Sequence, residues 1–221
     1  MRDRRGNVGD SATRDCAKPR QGACGLTYSE VAKRLRLPLG FLLGITYLIF
    51  ARPTPLTLAV GGVIALIGVV IRAWASGHIS KNERLATTGP YAHTRNPLYF
   101  GSFLIAAGFA VAAHWALLLL VVAFFAFIYA PTMQRERANI AERFPEAYEA
   151  YAANVPVFVP RPTPWNATHP DEGDGFSLDL YLKHGEWKAG LTFLLVMAWL
   201  IWVTKNGVAA VWLIHRLVTG V

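Results

Sequence analysis

Hydrophobic residues in this sequence gather into six blocks separated by polar segments. The blocks lie at 39–51, 56–71, 97–113, 115–131, 190–204 and 207–214. Several are close to the roughly 17 apolar residues that a helix needs to cross a bilayer. A buried helix of a soluble protein would explain the shorter blocks, but so many nearly uncharged blocks leave too little polar surface for a soluble fold. The pattern predicts an all-α integral membrane protein with about five to six transmembrane helices.

Short interruptions predict how neighbouring helices connect. Only His114 separates the blocks 97–113 and 115–131, which indicates a tight helical hairpin. After Pro131 the polar residues follow helical spacing, so the second helix of the hairpin is expected to continue out of the bilayer. Pro145 cannot donate to a helical hydrogen bond, and it therefore predicts a break and a second short helix beginning there.

Small residues recur at helical spacing in the first two blocks. Gly40 and Gly44 form a GxxxG pattern, and Gly61, Ala65 and Gly68 lie near one face of the next helix. In a membrane, small residues allow helix backbones to approach closely. Both patterns therefore predict close helix packing.

Positive charge is concentrated on one side of the predicted membrane. The chain is 53% hydrophobic and carries a net charge of +8. If the six blocks alternate across the bilayer, all of the 22 lysines and arginines except Arg52 and Lys205 lie on one side. The positive-inside rule makes that side cytoplasmic, with the N-terminus and the polar motifs there. Nucleic acid is excluded as a partner because nothing resembles a groove-reading element, and no obligate protein partner is predicted.

The polar segments divide the chain into four parts. The first part is predicted to be a disordered basic cytoplasmic tail, because it lacks the hydrophobic region of a signal peptide. It holds Cys16 and Cys24, which are too few for a metal site, so no metal is expected. The predicted parts are the tail at 1–36, a membrane core at 37–161, a polar connector at 162–189 and C-terminal membrane helices at 190–221.

The segment TTGPYAHTRNPLYFG, residues 87–101, places sharp turns directly before an apolar helix. Gly89-Pro90 is a turn signal, and Asn96-Pro97 puts a preferred N-cap residue before a preferred first helical residue. The helix is expected to begin at residue 97, with free backbone N–H groups that suit an anion. The side chains expected to crowd this helix end are Tyr91, His93, Arg95 and Tyr99. In a non-catalytic alternative, the tyrosines are interfacial aromatic residues and Arg95 is one of the positive charges that orient the protein in the membrane.

Glu136 adds a carboxylate to this picture. It follows the second helix of the hairpin, which returns it to the same membrane face as Arg95. A carboxylate, an arginine, a helix N-terminus and aromatic rings can then meet in one interfacial pocket. Alternatively, Glu136 pairs with Arg135 or Arg137 in solvent.

The two motifs together resemble a known family. GPYAHTRNPLYFG, a hydrophobic hairpin and RERANIAERFPEAYEAYAANVPVFVPR are similar to the integral-membrane methyltransferases of the isoprenylcysteine carboxyl methyltransferase and phospholipid N-methyltransferase superfamily. The resemblance covers about residues 76–161 and implies a cytoplasmic region there that binds S-adenosylmethionine. It implies a methyltransferase of the bacterial inner membrane whose acceptor is lipidic or lipid-attached.

Most of the expected site residues follow from the resemblance. His93 is added because it lies at the same helix end as Tyr91, Arg95 and Tyr99. Arg95 and Glu136 are the expected catalytic residues. The expected cofactor-binding residues are Tyr91, His93, Arg95, Asn96, Pro97, Tyr99, Gly101 and Glu136. Arg137 stands where the family pattern has a second Glu, which puts the polar contacts to the cofactor in question. Pro145 replaces a Gly of the pattern and sharpens a bend already expected.

The acceptor and the reaction stay open. A carboxylate acceptor could be oriented by Arg95, giving O-methylation as of isoprenylcysteine. An amine acceptor, as in lipid N-methylation, would need a base, for which His93 and Glu136 are candidates. Rings such as those of Tyr91 and Tyr99 can stabilise the sulfonium of the cofactor by cation–π contact.

Two other functions compete with methyl transfer. NADPH-dependent membrane sterol and steroid reductases look similar in this region, but Leu98 replaces their Asn before Tyr99, and Ser102 stands where they often have Glu. A non-catalytic membrane scaffold with the family's shape is favoured by Arg137 alone.

Overall fold

The computed structural model describes residues 28–79, 85–166 and 175–206, and the regular structure in these ranges is helical throughout. The α-helices are α1 (Tyr28–Phe50), α2 (Pro55–Ser76), α3 (Pro97–Ala113), α4 (Leu117–Phe124), α5 (Ala130–Arg143), α6 (Pro145–Asn154), α7 (Leu178–His184) and α8 (Trp187–Asn206). A 3-10 turn at Gly89–Ala92 precedes α3, and a π-helical turn at Phe125–Tyr129 joins α4 to α5. The all-α prediction is confirmed for these residues.

Three helical segments are long and apolar enough to cross a membrane: α2, the continuous helix Leu117–Arg143, and α8. Helix α3 is equally apolar but has only 17 residues. Large apolar side chains face outward on the three long segments and on α1, among them Phe41, Leu56, Leu119 and Leu194. An exposed apolar surface of this extent fits contact with lipid. The described residues therefore support a membrane protein with three candidate spans and a shorter apolar helix, and the expected number of five to six spans stays a prediction.

Helices α2 and α3 pack with almost no space between their backbones. A Cβ atom added to Gly61 would lie 2.3 Å from the carbonyl oxygen of Gly108, and one added to Gly68 would lie 2.6 Å from that of Gly101. Ala65 is completely buried between these contacts. The prediction that the small residues of α2 serve close helix packing is confirmed.

The GxxxG pattern of α1 behaves differently. A Cβ atom on Gly44 would meet no atom within 4 Å, and one on Gly40 would just reach the Phe124 ring at 3.9 Å. No described helix packs closely on this face of α1, so the prediction of close packing is wrong here.

The hairpin and its continuation follow the prediction. Helices α3 and α4 are joined at His114, whose Nδ1 accepts a hydrogen bond from the Ala116 N–H at 3.2 Å. The second helix runs on through the π-helical turn into α5, and α6 begins at Pro145. Phe144, between α5 and α6, has φ −131° and ψ 62°, which is the predicted break.

Two predicted boundaries differ from the structure. Helix α1 begins at Tyr28, so residues 28–36 are helical and not part of a disordered tail. The segment contains strong helix formers, and the Tyr28 hydroxyl anchors it by donating to the Phe127 carbonyl at 2.6 Å. Within the predicted polar connector, α7 and the start of α8 are helical.

Some predictions lie outside the described residues. These are the tail before residue 28 with both cysteines, and the block 207–214.

Candidate functional site

The chain after α6 fixes the turn before α3. The Arg95 N–H donates to the Pro156 carbonyl at 2.9 Å, and the Arg161 N–H donates to the His93 carbonyl at 2.9 Å. We call residues 155–165 the clasp, because their backbone runs beside the motif and bonds to it repeatedly. The local conformation of the first motif therefore depends on a segment far along the chain.

Helix α3 begins at Pro97, as predicted, but Asn96 does not cap it. No cap bond from the Asn96 side chain is present, and its Nδ2 donates to the Val157 carbonyl in the clasp at 2.9 Å. The expected capping role is wrong because a carbonyl of the clasp lies within reach of the amide. Asn96 instead ties the helix start to the clasp.

Both motifs border one cavity of about 410 Å³, which we call the motif cavity. Arg95 and Glu136, which are far apart in the sequence, both line it. The lining residues are Ile79, Leu85, Ala86, Tyr91, Arg95, Asn96, Glu136, Arg137, Asn139, Ile140, Arg143, Phe144, Tyr148 and Tyr151. The structure thus brings together four of the predicted site residues: Tyr91, Arg95, Asn96 and Glu136.

Two residues that line this cavity carry buried polar atoms without partners. Among the described residues, three buried side-chain atoms have no hydrogen-bond partner: the Tyr91 hydroxyl and the Arg95 Nε of the cavity lining, and the Tyr47 hydroxyl in α1. Arg95 uses Nη1 to donate to the Tyr148 hydroxyl at 3.1 Å. Because buried polar groups normally have partners, the two orphan groups of the cavity lining point to a ligand.

Two of the tyrosines stay neutral. Burial raises the pKa of Tyr91 and the pKa of Tyr151 well above the ordinary value. The Tyr151 hydroxyl donates to the Tyr91 carbonyl at 2.7 Å, which holds α6 against the turn. Both hydroxyls therefore keep their protons: Tyr151 donates, and Tyr91 has a donor that is still free.

His93 does not line the motif cavity. Its Nδ1 lies 2.8 Å from the Arg161 carbonyl oxygen, and its ring packs near Trp74 with 6.4 Å between centroids. It borders a separate cavity of about 340 Å³ on the other side of the turn. The geometry offers no support for its predicted cofactor role.

Pro97, Tyr99 and Gly101 also are not among the residues that line the motif cavity. Pro97 is buried at the start of α3, and Gly101 faces α2, where a Cβ would stand 2.8 Å from the Gly68 carbonyl oxygen. The Tyr99 hydroxyl donates to Glu136 Oε1 at 2.8 Å. Gly101 thus allows the close helix approach that was expected of it.

A second, larger space of about 910 Å³ runs along α1, and we call it the α1 groove. Its lining is mostly apolar, with polar groups at one end. The lining residues are Arg36, Leu37, Gly40, Phe41, Gly44, Ile45, Tyr47, Leu48, Arg72, Leu98, Tyr99, Ser102, Phe124, Tyr129, Glu136 and Val196. Glu136 is the one described residue that lines both this groove and the motif cavity.

Sequence reasoning did not assign Asn139, Arg143 or Tyr148 to the site. Asn139 and Arg143 follow Glu136 at helical spacing, which could have placed them on the same face of α5. Tyr148 lies on the short helix α6, whose direction relative to α5 a sequence does not give.

Arg72 was also missed. Its Nη2 donates to Glu186 Oε1 at 2.7 Å and its Nε to Oε2 at 3.0 Å, while Nη1 reaches the Ser102 hydroxyl and the Leu98 carbonyl in α3. An arginine within an apolar helix is a signal of a specific partner, and it could have been read as such.

Comparison with known proteins confirms the family resemblance for part of the chain. Residues 56–147 match the family model described as phospholipid methyltransferase. This segment contains α2, α3, α4 and α5, and therefore includes Arg95 and Glu136.

Two curated relatives are similar to about half of the chain. The cobalt-zinc-cadmium resistance protein CzcN of Cupriavidus metallidurans is 35% identical over 111 residues, which are 49% of this chain and 51% of the relative. The nickel-cobalt-cadmium resistance protein NccN of Alcaligenes xylosoxydans xylosoxydans is 34% identical over 107 residues, 47% of this chain and 50% of the relative. The chain spans about half the length of these relatives. No solved structure matches it.

Proposed function

From the match of residues 56–147 to the phospholipid methyltransferase family, we propose that this protein is a membrane-embedded, S-adenosylmethionine-dependent methyltransferase. The observation that carries the proposal is the motif cavity, where Arg95 of the first motif and Glu136 of the second line one space. Its acceptor is lipidic or lipid-attached, and the cavity faces the cytoplasm of a bacterial inner membrane.

The residues around the motif cavity fit the chemistry of S-adenosylmethionine. Its volume of about 410 Å³ lies within the range of roughly 300–1,000 Å³ usual for small-molecule sites. Arg95 and Arg137 would bind the carboxylate of the cofactor, and Glu136 its ammonium or ribose. Apolar side chains, such as Leu85 and Ile140, would contact the adenine. When bound, the cofactor supplies the methyl group as part of a sulfonium.

The orphan groups support this assignment. The buried Tyr91 hydroxyl can donate to a polar ligand atom, and its ring can face a positive charge. The task of the protein in methyl transfer is to align donor and acceptor and to exclude water, which needs no nucleophilic side chain. The α1 groove, which opens beside Glu136, would admit an apolar acceptor.

The acceptor atom decides the role of Glu136. Arg95 would orient a carboxylate acceptor, whereas an amine acceptor would transfer its proton to Glu136. His93 lies outside the motif cavity, which leaves Glu136 as the favoured base for an amine.

A nicotinamide-dependent reductase is the second candidate, because one observation favours it. Arg95, Arg137 and Arg143 all border the motif cavity, and three arginines would also suit the phosphates of NADPH. A scaffold without catalysis would bind neither ligand.

The names of the curated relatives suggest a biological setting. Both are named for resistance to transition metals. Among the described residues, no three His, Cys, Asp or Glu side chains form a group that could hold a metal ion. We propose that any part of this protein in metal resistance comes from methylation of a membrane component and not from metal binding.

The test is isothermal titration of the detergent-purified protein with S-adenosylhomocysteine, with NADPH and Zn²⁺ run alongside. We expect saturable binding of S-adenosylhomocysteine and at least about tenfold weaker binding in Arg95→Ala and Glu136→Ala, because each loses a hydrogen bond to a charged group. Binding of NADPH alone would indicate a reductase. Saturable binding of Zn²⁺ would indicate that the protein itself binds metal.

Matched controls separate a site effect from misfolding. Arg135 and Glu142 lie on α5 and line neither the motif cavity nor the α1 groove. Arg135→Ala, Glu142→Ala and the distant Lys205→Ala should bind S-adenosylhomocysteine as the parent does. Equal loss of binding in all variants would show general instability and remove the evidence for a site.

A further inference from the structure

One hydrogen bond stands between the motif cavity and the α1 groove. Glu136 lines both spaces, and its Oε1 accepts a hydrogen bond of 2.8 Å from the Tyr99 hydroxyl, which comes from the groove side. No other described residue borders both spaces. Glu136 is therefore the described residue at which the two spaces meet.

The Tyr99 ring is held in place by aromatic packing on the α1-groove side of Glu136. Its ring packs edge-on against Tyr129 with 5.4 Å between centroids, and Tyr129 stacks on Phe125 at 4.4 Å. Both partners belong to the π-helical turn that leads directly into α5, the helix of Glu136. Such turns occur frequently at functional sites. The π-helical turn thus packs against Tyr99, the hydrogen-bond donor, and leads into the helix that carries Glu136, the acceptor.

Within the described residues, Tyr99 is the partner that orients Glu136. Arg95 and Arg137 line the same cavity, but neither forms an ion pair with Glu136 in this part of the chain. Without the Tyr99 hydroxyl, the largely exposed carboxylate would be free to change rotamer.

We propose that Tyr99 is a positioning residue that holds Glu136 as a partition between the motif cavity and the α1 groove. The partition separates the two spaces at rest and has to open when a methyl donor in the cavity meets an acceptor in the groove, since transfer needs the reacting atoms in contact. The role in methyl transfer rests on the proposed function, whereas the partition itself is a property of the fold.

A thiol in the groove reports on the partition. Gly44 lines the groove, and a Cβ atom added there meets no atom within 4 Å, so we expect Gly44→Cys to place a thiol in the groove without steric conflict. Cys16→Ser and Cys24→Ser remove the native thiols. The probe is a positively charged, membrane-impermeant methanethiosulfonate reagent applied to both sides of vesicles of phosphatidylethanolamine and phosphatidylglycerol. The measured quantity is the rate at which the thiol reacts.

We expect slow reaction in the Gly44→Cys parent and roughly three- to tenfold faster reaction after Tyr99→Phe or Glu136→Ala, since one hydrogen bond of ordinary strength is lost. Glu136→Gln should stay slow, because its amide oxygen can still accept from Tyr99. Tyr129→Phe is the matched hydroxyl deletion and should also stay slow. Equal rates in all backgrounds, or fast reaction in the parent, would overturn the partition.

A second thiol distinguishes opening of the partition from a general loss of structure, and a ligand distinguishes the partition from the proposed function. Asn139→Cys, in the motif cavity, should react at the same rate with or without the Tyr99 hydroxyl, and a change there would mean a general loss of structure. S-adenosylhomocysteine should slow the reaction of Gly44→Cys in the Tyr99→Phe background by filling the motif cavity. Faster reaction in that background with no effect of S-adenosylhomocysteine keeps the partition and rejects the proposed function.

Discussion

Two helices carry similar glycine patterns and use them in opposite ways. In α2, Gly61 lies against the Gly108 backbone so closely that there is no room for a methyl group. In α1, Gly44 faces open space at the α1 groove. A small-residue pattern therefore shows where a backbone can be approached, but not whether a neighbour approaches it.

The difference follows the boundary of the family match. The tightly packed pair α2 and α3 lies inside residues 56–147, whereas α1 and α8 lie outside. The groove takes half of its lining from α1, one residue, Val196, from α8, and the rest from the matched segment. The matched segment thus forms a closely packed frame, and α1 adds one wall of the larger space beside it.

The largest effect should come from a methyl group at the tight contact. We expect Gly61→Ala to destabilise the protein by about 3 kcal/mol, because its Cβ would overlap backbone atoms of α3 and the helices would have to separate. The measurement is thermal unfolding in detergent, followed by helical circular dichroism. An unchanged midpoint would show that α2 and α3 are not in contact at this position, and the comparison would fail.

An intermediate effect should come from the ion pair that attaches α8 to the frame. Glu186→Ala leaves the partly buried Arg72 without its carboxylate, and we expect a loss of about 1–2 kcal/mol, discounted because both side chains retain some exposure. The same unfolding assay measures it. Glu149→Ala, an exposed carboxylate on α6, is the control and should leave the midpoint in place.

The smallest effect should have the opposite sign. Gly44→Ala fills open space and replaces glycine in a helix by a better helix former, so we expect stabilisation by roughly 0.5–1 kcal/mol. Gly190→Ala in α8, where a Cβ also meets nothing, should behave in the same way. Destabilisation by Gly44→Ala alone would mean that another helix covers the groove.

The sequence predicted what depends on local chemistry. Proline at positions 97 and 145 marked the starts of α3 and α6, and the apolar blocks marked the hairpin. Arg95 and Glu136 were expected on one membrane face, because a hairpin returns the chain to its starting side. These features need only spacing and helix geometry.

The features that the sequence did not reveal depend on distant partners. Asn96 has the side chain of a helix cap, but a carbonyl of the clasp binds it. His93 was expected among the cofactor residues, and the clasp carbonyl of Arg161 lies beside its ring nitrogen on the other side of the turn. The Arg72–Glu186 pair joins residues 114 positions apart. Local patterns do not reveal contacts of this range.

The clasp has a consequence for the order of synthesis. Its hydrogen bonds to the first motif join residues that are 61 to 73 positions apart. When α3, α4 and α5 have left the ribosome, the membrane frame can form, but the turn that carries Tyr91 and Arg95 still lacks the segment that holds it. The motif cavity is therefore completed late, after the chain beyond α6 has folded back onto the turn.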